Sequence, residues 1–253
     1  MEKRVRFATA AGIAHYGILD GETVYETDSL WSSRRGAAHG LADVRLLAPC
    51  QPSKIVCVGR NYADHAKELG NSVPAEPMIF FKPPTSLIGP GDAIVYPAIS
   101  QSVSYEGELG VVVGKRARHV KAANAGDYIL GYTCVNDVTA RDLQKKDGHF
   151  NRSKGFDTFC PVGPWIVPRD QVDAGKLRVR TILDGQTKQD APVAGMVFSV
   201  ETIIEYLTEF MTLEPGDLLA TGTPPGVGPM LPGQVVRVEI DGVGALENPV
   251  VRG

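Results

Sequence analysis

Two glutamates two residues apart, Glu106 and Glu108, head the stretch YEGELGVVV. In an extended chain, side chains at i and i+2 share one face, roughly 7 Å apart. Like charges so placed repel each other unless a cation joins them. Asp137 closes YTCVND, which reads as a strand running into a helix start. A third acid at a strand end can meet the first two across a sheet. Three carboxylates without a Cys/His cluster suit a hard cation: Mg²⁺ first, Mn²⁺ close behind, Ca²⁺ as a further option. Taken alone, the glutamate pair is also a pattern of surface charges, and Asp137 that of a helix cap.

A second pair is His65 and Glu68 in ADHAKEL. Residues three apart are neighbours if the segment is helical. A carboxylate beside an imidazole fixes its tautomer and raises its basicity. Such a dyad can draw a proton from water or substrate; an exposed helix pair is the alternative. Lys82 ends the apolar MIFFK, either as a snorkelling stem or as a cation facing a site. Arg141 and Gln144 lie three apart after Asp137, and Gln144 can reach a bound ligand, whereas Arg141 can equally be structural. Lys154, in SKGFD, reads as a solvated loop residue. TGTPPGVGP lacks the strand–GxGxxG–helix setting, so it is no dinucleotide fingerprint and reads as a tight turn.

The elements that must position these residues are mostly strands. With 253 residues, the chain suffices for one large domain, or one plus a small appendage. The 28 glycines and 18 prolines are spread along it, which implies many turns between short strands. Residues 1–50 form a small N-terminal β domain: VRFAT, HYGIL and TVYET are strands, Asp20-Gly21 is a turn, and SSRRGAAHG is a loop. Residues 51–253 form the body. Its strands are KIVCVG, MIFFK, AIVYP, YEGELGVVVG, YILGYTCVND, VRTIL, VVRVEI and LENPVV. NYADHAKELG predicts a short helix with Asn61 as N-cap and Gly70 just past its end. NDVTARDLQKK predicts a helix capped near Asn136 to Thr139, and HFNRSKGFDTFCPVGP an irregular stretch. In SVETIIEYLTEFMTL, Ile203, Ile204, Leu207, Phe210 and Met211 recur at helical spacing. The fold class is mainly β with a few helices (α+β), a folded-over mixed sheet.

A net charge of −3 argues against a broad nucleic-acid surface. No apolar run approaches the ~20 residues of a membrane helix, and the N-terminus lacks a signal-peptide core. Cys50, Cys57, Cys134 and Cys160 are scattered without CxxC spacing, which argues against a zinc site or disulfide framework. A cytoplasmic protein with free thiols is the expectation.

GRNYADHAKELG, FFKPPTSLIGPGD, YEGELGVVVGK, GYTCVNDVTARDLQ, SKGFDTFCPVGPW and GDLLATGTPPGVGP, in this order, resemble the fumarylacetoacetate hydrolase family over about residues 54–251. The resemblance implies a mixed β-roll around one divalent ion, an accessory N-terminal β domain, and a homodimer. It implies Glu106, Glu108 and Asp137 as ligands, and a His65–Glu68 dyad on a lid, His65 the base and Glu68 its orienter. It implies that Lys82 points at the substrate, that Lys154 sits near the leaving group or enolate, and that Thr223 with nearby N–H groups holds the substrate carboxylate. The ion would chelate a 2-oxo acid and stabilise an enolate. Fumarylacetoacetate hydrolase itself adds another acid where this chain has Arg60-Asn61, so the chain resembles the family's shorter branch. That branch implies a 2-hydroxyhepta-2,4-diene-1,7-dioate isomerase or decarboxylase of aromatic-compound catabolism. Acylpyruvate hydrolase and oxaloacetate decarboxylase are the alternatives, and a non-catalytic metal-stabilised module or a thiol enzyme the competing classes.

Overall fold

The computed structural model describes residues 2–253, and among them the chain is mainly β with four α-helices. Lys3–Ala8, Ala14–Asp20 and Thr23–Thr27 make an antiparallel meander. Gly21, at φ 59°, supplies the left-handed residue of the Asp20-Gly21 turn. SSRRGAAHG is not wholly a loop. Its last residues, Ala38–Gly40, pair with Thr23–Tyr25 as an edge strand. Backbone pairing alone makes that strand, so no side-chain alternation announces it. The meander continues into the body through Arg4 opposite Ile166.

Across the body, the large sheet runs Cys160–Pro168, Ile129–Asn136, Gly107–Val113, Leu218–Ala220, Ile55–Gly59, Met78–Lys82. A five-stranded sheet, Gln186–Pro192 to Ile94–Tyr96, shares its core through Val179, Val238, Ile240 and Leu246. Helix α4, Val200–Phe210, covers the same core, its first turn capped by Ser199, which accepts the Thr202 N–H at 3.3 Å. Val200, Ile203, Ile204 and Leu207 are buried, each contributing about 1.5–3 kcal/mol. Phe210, which the periodicity turns inward, is exposed and packs edge-on against Tyr206.

The Gly107–Val113 strand is buried along its whole length. Val111 and Val113 pack toward α4, and Val112 packs in the opposite cluster with Cys57 and Leu218. The strand that carries the acids is therefore clamped on both faces. No helix among the described residues is long and apolar enough to cross a membrane.

Candidate metal centre and active site

Strand register brings the three acids together. Gly107 lies opposite Asn136, so Asp137, just past that strand, meets Glu106, just before the other. The Asp137 N–H donates to Glu106 O at 2.8 Å, and the Glu106 N–H to Asn136 Oδ1 at 2.9 Å. One oxygen from each of Glu106, Glu108 and Asp137 lies within 4.8 Å of the others. All three side chains are at most 5% exposed. Gly107, between the glutamates, has no room for a side chain: a Cβ there would stand 2.1 Å from Thr181 Oγ1.

Burying three carboxylates is costly unless each finds a partner. Asp137 receives Lys82 Nζ at 2.5 Å on one oxygen and Lys154 Nζ at 2.6 Å on the other. Lys154 also reaches Glu106 Oε2 at 2.9 Å and Thr139 Oγ1 at 2.8 Å, and Arg141 pairs with the other Glu106 oxygen. Burial alone would raise the Glu106 carboxyl, but Arg141, Lys154 and His65 outweigh it and hold it well below the usual range. Burial would likewise lower Lys154, but Asp137 and Glu106 raise it instead, so it stays charged.

Glu108 differs. It accepts the Gly222 N–H at 2.8 Å and has no cationic side chain against it among the described residues. Burial, with Asp137 and Glu106 nearby, pushes its carboxyl well above the usual range. A divalent ion would supply what this set lacks: convergent hard oxygens, one of them short of positive charge. The donor chemistry therefore fits Mg²⁺ or Mn²⁺, held by Glu106, Glu108 and Asp137.

Above these acids is a cavity of about 450 Å³, its wall including His65, Arg141, Gln144, Lys154 and Thr223. Helix α1, Ala63–Glu68, carries the dyad, with His65 Nδ1 3.3 Å from Glu68 Oε2. Glu68 is anchored in turn by the Gly226 N–H, 3.1 and 3.2 Å from its two oxygens. Burial lowers the His65 pKa, against the opposing pull of Glu106 and Glu68, which favours the neutral imidazole. The predicted cap of α1 is not Asn61. Its amide instead donates to Phe198 O (3.0 Å) and Thr221 O (2.7 Å) and accepts the Phe198 N–H (2.8 Å), clamping the turn after Ile55–Gly59.

Helix α2, Arg141–Asp147, starts later than its sequence suggests, because Thr139–Ala140 pairs with Val103–Ser104. Arg141 donates to Gln144 Oε1 at 3.1 Å, leaving the Gln144 amide hydrogens without a partner among the described residues. The irregular stretch contains helix α3, Asn151–Lys154, which turns Lys154 inward rather than to solvent.

Two residues expected at the substrate have protein partners in this structure. Lys82 does not face the cavity. It shares the buried side of the Met78–Lys82 strand with Phe80; Phe80 takes the wall, and Lys82 sits behind Asp137, also donating to Val138 O at 3.2 Å. Thr223 lines the cavity, but its hydroxyl donates to Gly107 O (2.9 Å) and accepts from Gln189 Nε2 (2.7 Å), so it is committed to the protein.

Sequence reasoning missed Gln189, which also accepts from the Gly107 N–H (3.0 Å) and Thr181 Oγ1 (2.6 Å) and so fixes the backbone between Glu106 and Glu108. It also passed over Lys145 on the cavity wall and assigned no role there to Arg60. Both carry a cationic signal readable in the sequence, but no pattern places them here. All four cysteines are free and buried, none lines this cavity, and burial raises every thiol, Cys50 and Cys160 to about 12. Nucleophilic thiol chemistry is thereby excluded at this site.

The fumarylacetoacetate (FAA) hydrolase C-terminal family matches residues 54–251, and an Rv2993c-like N-terminal family matches residues 3–49. The oxaloacetate tautomerase fahd2 of Xenopus laevis is 45% identical over 221 residues, 83% of this chain and 69% of that protein. The crystal structure of 2-hydroxyhepta-2,4-diene-1,7-dioate isomerase from Mycobacterium marinum superposes with a TM-score of 0.91 at 45% identity, over 100% of this chain and 99% of that one. Maleylpyruvate hydrolase from Sphingobium sp. SYK-6, solved with manganese(II) and pyruvate, superposes with a TM-score of 0.84 at 30% identity, over 99% of both chains.

Proposed function

The chain belongs to the fumarylacetoacetate hydrolase family, and from that premise we propose that it is a divalent-metal-dependent enzyme moving a proton on a small dicarboxylic 2-oxo or 2-hydroxy-dienoic acid. The observation that carries this reading is His65, hydrogen-bonded to Glu68, on the wall of the cavity whose floor is the three-acid cluster. When held by Glu106, Glu108 and Asp137, a divalent ion supplies Lewis acidity toward the 2-oxo oxygen and adjoining carboxylate.

The rest is the work of side chains. With its Nδ1–H donated to Glu68, His65 keeps Nε2 as the basic nitrogen. It takes a proton from one position of the bound acid and returns it at another, converting keto and enol forms or shifting a double bond. Glu68 stabilises the imidazolium in between. The Gln144 amide is free to donate to the substrate carboxylate. Lys154 and Arg141 keep positive charge at the floor, where negative charge develops on substrate oxygen. Lys82, Arg141 and Lys154 pair with Asp137 and Glu106, and with Glu108 also ionised on metal binding the three carboxylates and three cations cancel in formal charge. A divalent ion then leaves the site dipositive, which suits a dianionic substrate.

The oxaloacetate tautomerase and the heptadienedioate isomerase named above support proton transfer, since both names describe that class of reaction. Hydrolysis of an acylpyruvate is the second reading, favoured by the maleylpyruvate hydrolase neighbour; there the same dyad would take its proton from water. Decarboxylation of a 3-carboxy-2-oxo acid needs no base, so the dyad speaks against it as the main task. It speaks equally against a non-catalytic module.

The test is incubation with Mg²⁺ or Mn²⁺ and, separately, enol-oxaloacetate, 2-hydroxyhepta-2,4-diene-1,7-dioate and an acylpyruvate, with products identified by NMR. Isomerised products from either diacid support the proposal. Cleavage of the acylpyruvate alone favours the hydrolase, and no turnover of any of the three sinks the enzymatic reading.

A further inference from the structure

We propose that Arg60, assisted by Lys145, receives the distal carboxylate of the substrate and so sets a preference for dianionic over monoanionic 2-oxo acids. The inference rests on the 2-oxo acid reading above and deepens it by naming the residues that choose among such acids.

Burial grades the cavity from floor to rim. The acids at the floor are at most 5% exposed, whereas Leu69 on the same cavity is 43% exposed. Arg60 is half-buried between these extremes, and Lys145 is exposed at the rim. The floor cations are already engaged: Lys154 and Arg141 hold the ligand carboxylates and Lys82 lies behind them. Arg60 is not engaged. Its guanidinium has no hydrogen bond or ion pair with any described residue, and neither has the Lys145 ammonium. A half-buried guanidinium has lost part of its water and presents a planar fork matched to a carboxylate.

The backbone makes this placement deliberate. Arg60 is one of four non-glycine residues with positive φ among the described residues, at 55°. A side chain larger than glycine's rarely settles there unless neighbours enforce it. The neighbour is Asn61, whose side chain makes three hydrogen bonds to Phe198 and Thr221 and whose carbonyl accepts the Val197 N–H at 2.8 Å. Glycine would meet the same geometry without strain. An arginine there gains by what its side chain reaches, and the cavity is what it lines.

Two acids of equal length test this: 2-oxoglutarate and 2-oxopentanoate, which differ only in the distal carboxylate. Binding of each to the Mn²⁺-loaded full-length protein is measured by calorimetry for wild type, Arg60→Gly, Arg60→Lys and Arg60→Gly/Lys145→Ala. Arg60→Gly suits φ 55° and keeps the fold, which its melting curve and Mn²⁺ affinity verify. Wild type is expected to prefer the diacid. Arg60→Gly should weaken the diacid about 10- to 100-fold, as for a lost charge-assisted pair, and the monoacid less than about threefold. Arg60→Lys should fall between. A diacid preference that survives the double variant, or equal weakening of both acids, overturns the inference alone. Mn²⁺-loaded wild type that binds neither acid overturns the 2-oxo acid reading, and this inference with it.

Discussion

Glu106 and Glu108 are two residues apart and are the proposed ligands of one ion, yet removing their charges should have opposite consequences for the metal-free protein. Glu106 accepts from both Arg141 and Lys154. Glu106→Gln leaves the buried Lys154 and the partly buried Arg141 short of a partner, and breaking a buried pair costs about 3–5 kcal/mol. For a chain of this size, that is a fall of about 6–20 °C in Tm. Glu108 has only the Gly222 N–H, which a glutamine oxygen can also accept. Glu108→Gln therefore should leave metal-free stability within about 1 kcal/mol of wild type, or raise it. The pH trends also oppose. The folded pKa of Glu108 is raised, so its contribution is present below the usual carboxylate range and is lost as pH climbs toward the raised value. That of Glu106 is lowered, so its contribution is present above the usual range and is lost as pH falls. Adding Mg²⁺ at 100 times Kd should stabilise wild type by about 2.7 kcal/mol, or about 5–11 °C, and both variants should lose most of that shift. Metal binding should release the Glu108 proton, so wild-type affinity rises with pH. The assay is thermal melting in EDTA and in Mg²⁺ from pH 5 to 8. If metal-free Glu108→Gln is as damaged as Glu106→Gln, or keeps the full Mg²⁺ shift, the assignment of Glu108 as the ligand lacking charge is wrong.

His65→Ala should lower kcat by about 10²–10⁴-fold while sparing metal affinity. In wild type, the acid limb of kcat/KM should lie below the pH at which a free histidine titrates, because burial lowers the His65 pKa and a bound cation pushes the same way; a limb unmoved in His65→Ala refutes the role. Lys82→Met should cost about 3–5 kcal/mol in EDTA and less in Mg²⁺, where the ion replaces the charge opposite Asp137; an equal loss in both melts argues against compensation. Asn61→Ala removes three hydrogen bonds worth about 1 kcal/mol each. It should lower Tm and weaken 2-oxo acid binding together, and intact binding would show that the turn does not depend on this clamp.

The acids were legible because chemistry and strand pattern coincide: two glutamates ahead of a valine run, and an aspartate ending an apolar strand. The His65–Glu68 pair was legible because helical spacing implies contact. Other features have no local signature. Gln189 lies on a strand whose neighbours are mostly exposed, so no alternation marks it as the buried residue. Lys154 rides a four-residue helix, too short to show a period, and its burial depends on acids 17 and 48 residues away. Lys82 does end a strand, though one that is only partly buried, with Phe81 exposed; which side of Asp137 it would occupy is fixed by strand pairing across the sheet. Asn61 looked like a cap because asparagine before a helix usually is one; the close approach of Phe198 and Thr221 took its amide instead. The positive φ of Arg60 is invisible without coordinates, since nothing but glycine advertises that conformation.

The central claim is that Glu106, Glu108 and Asp137 hold an ion beside which His65 moves a proton on a 2-oxo acid. Stopped-flow absorbance of enol-oxaloacetate decay tests it most directly, with wild type, Glu108→Gln and His65→Ala each in Mn²⁺ and in EDTA. The account predicts acceleration by Mn²⁺-loaded wild type alone, near-background decay in EDTA, and loss in both variants, with His65→Ala still binding Mn²⁺. Acceleration that survives EDTA, or that persists in His65→Ala, would contradict it.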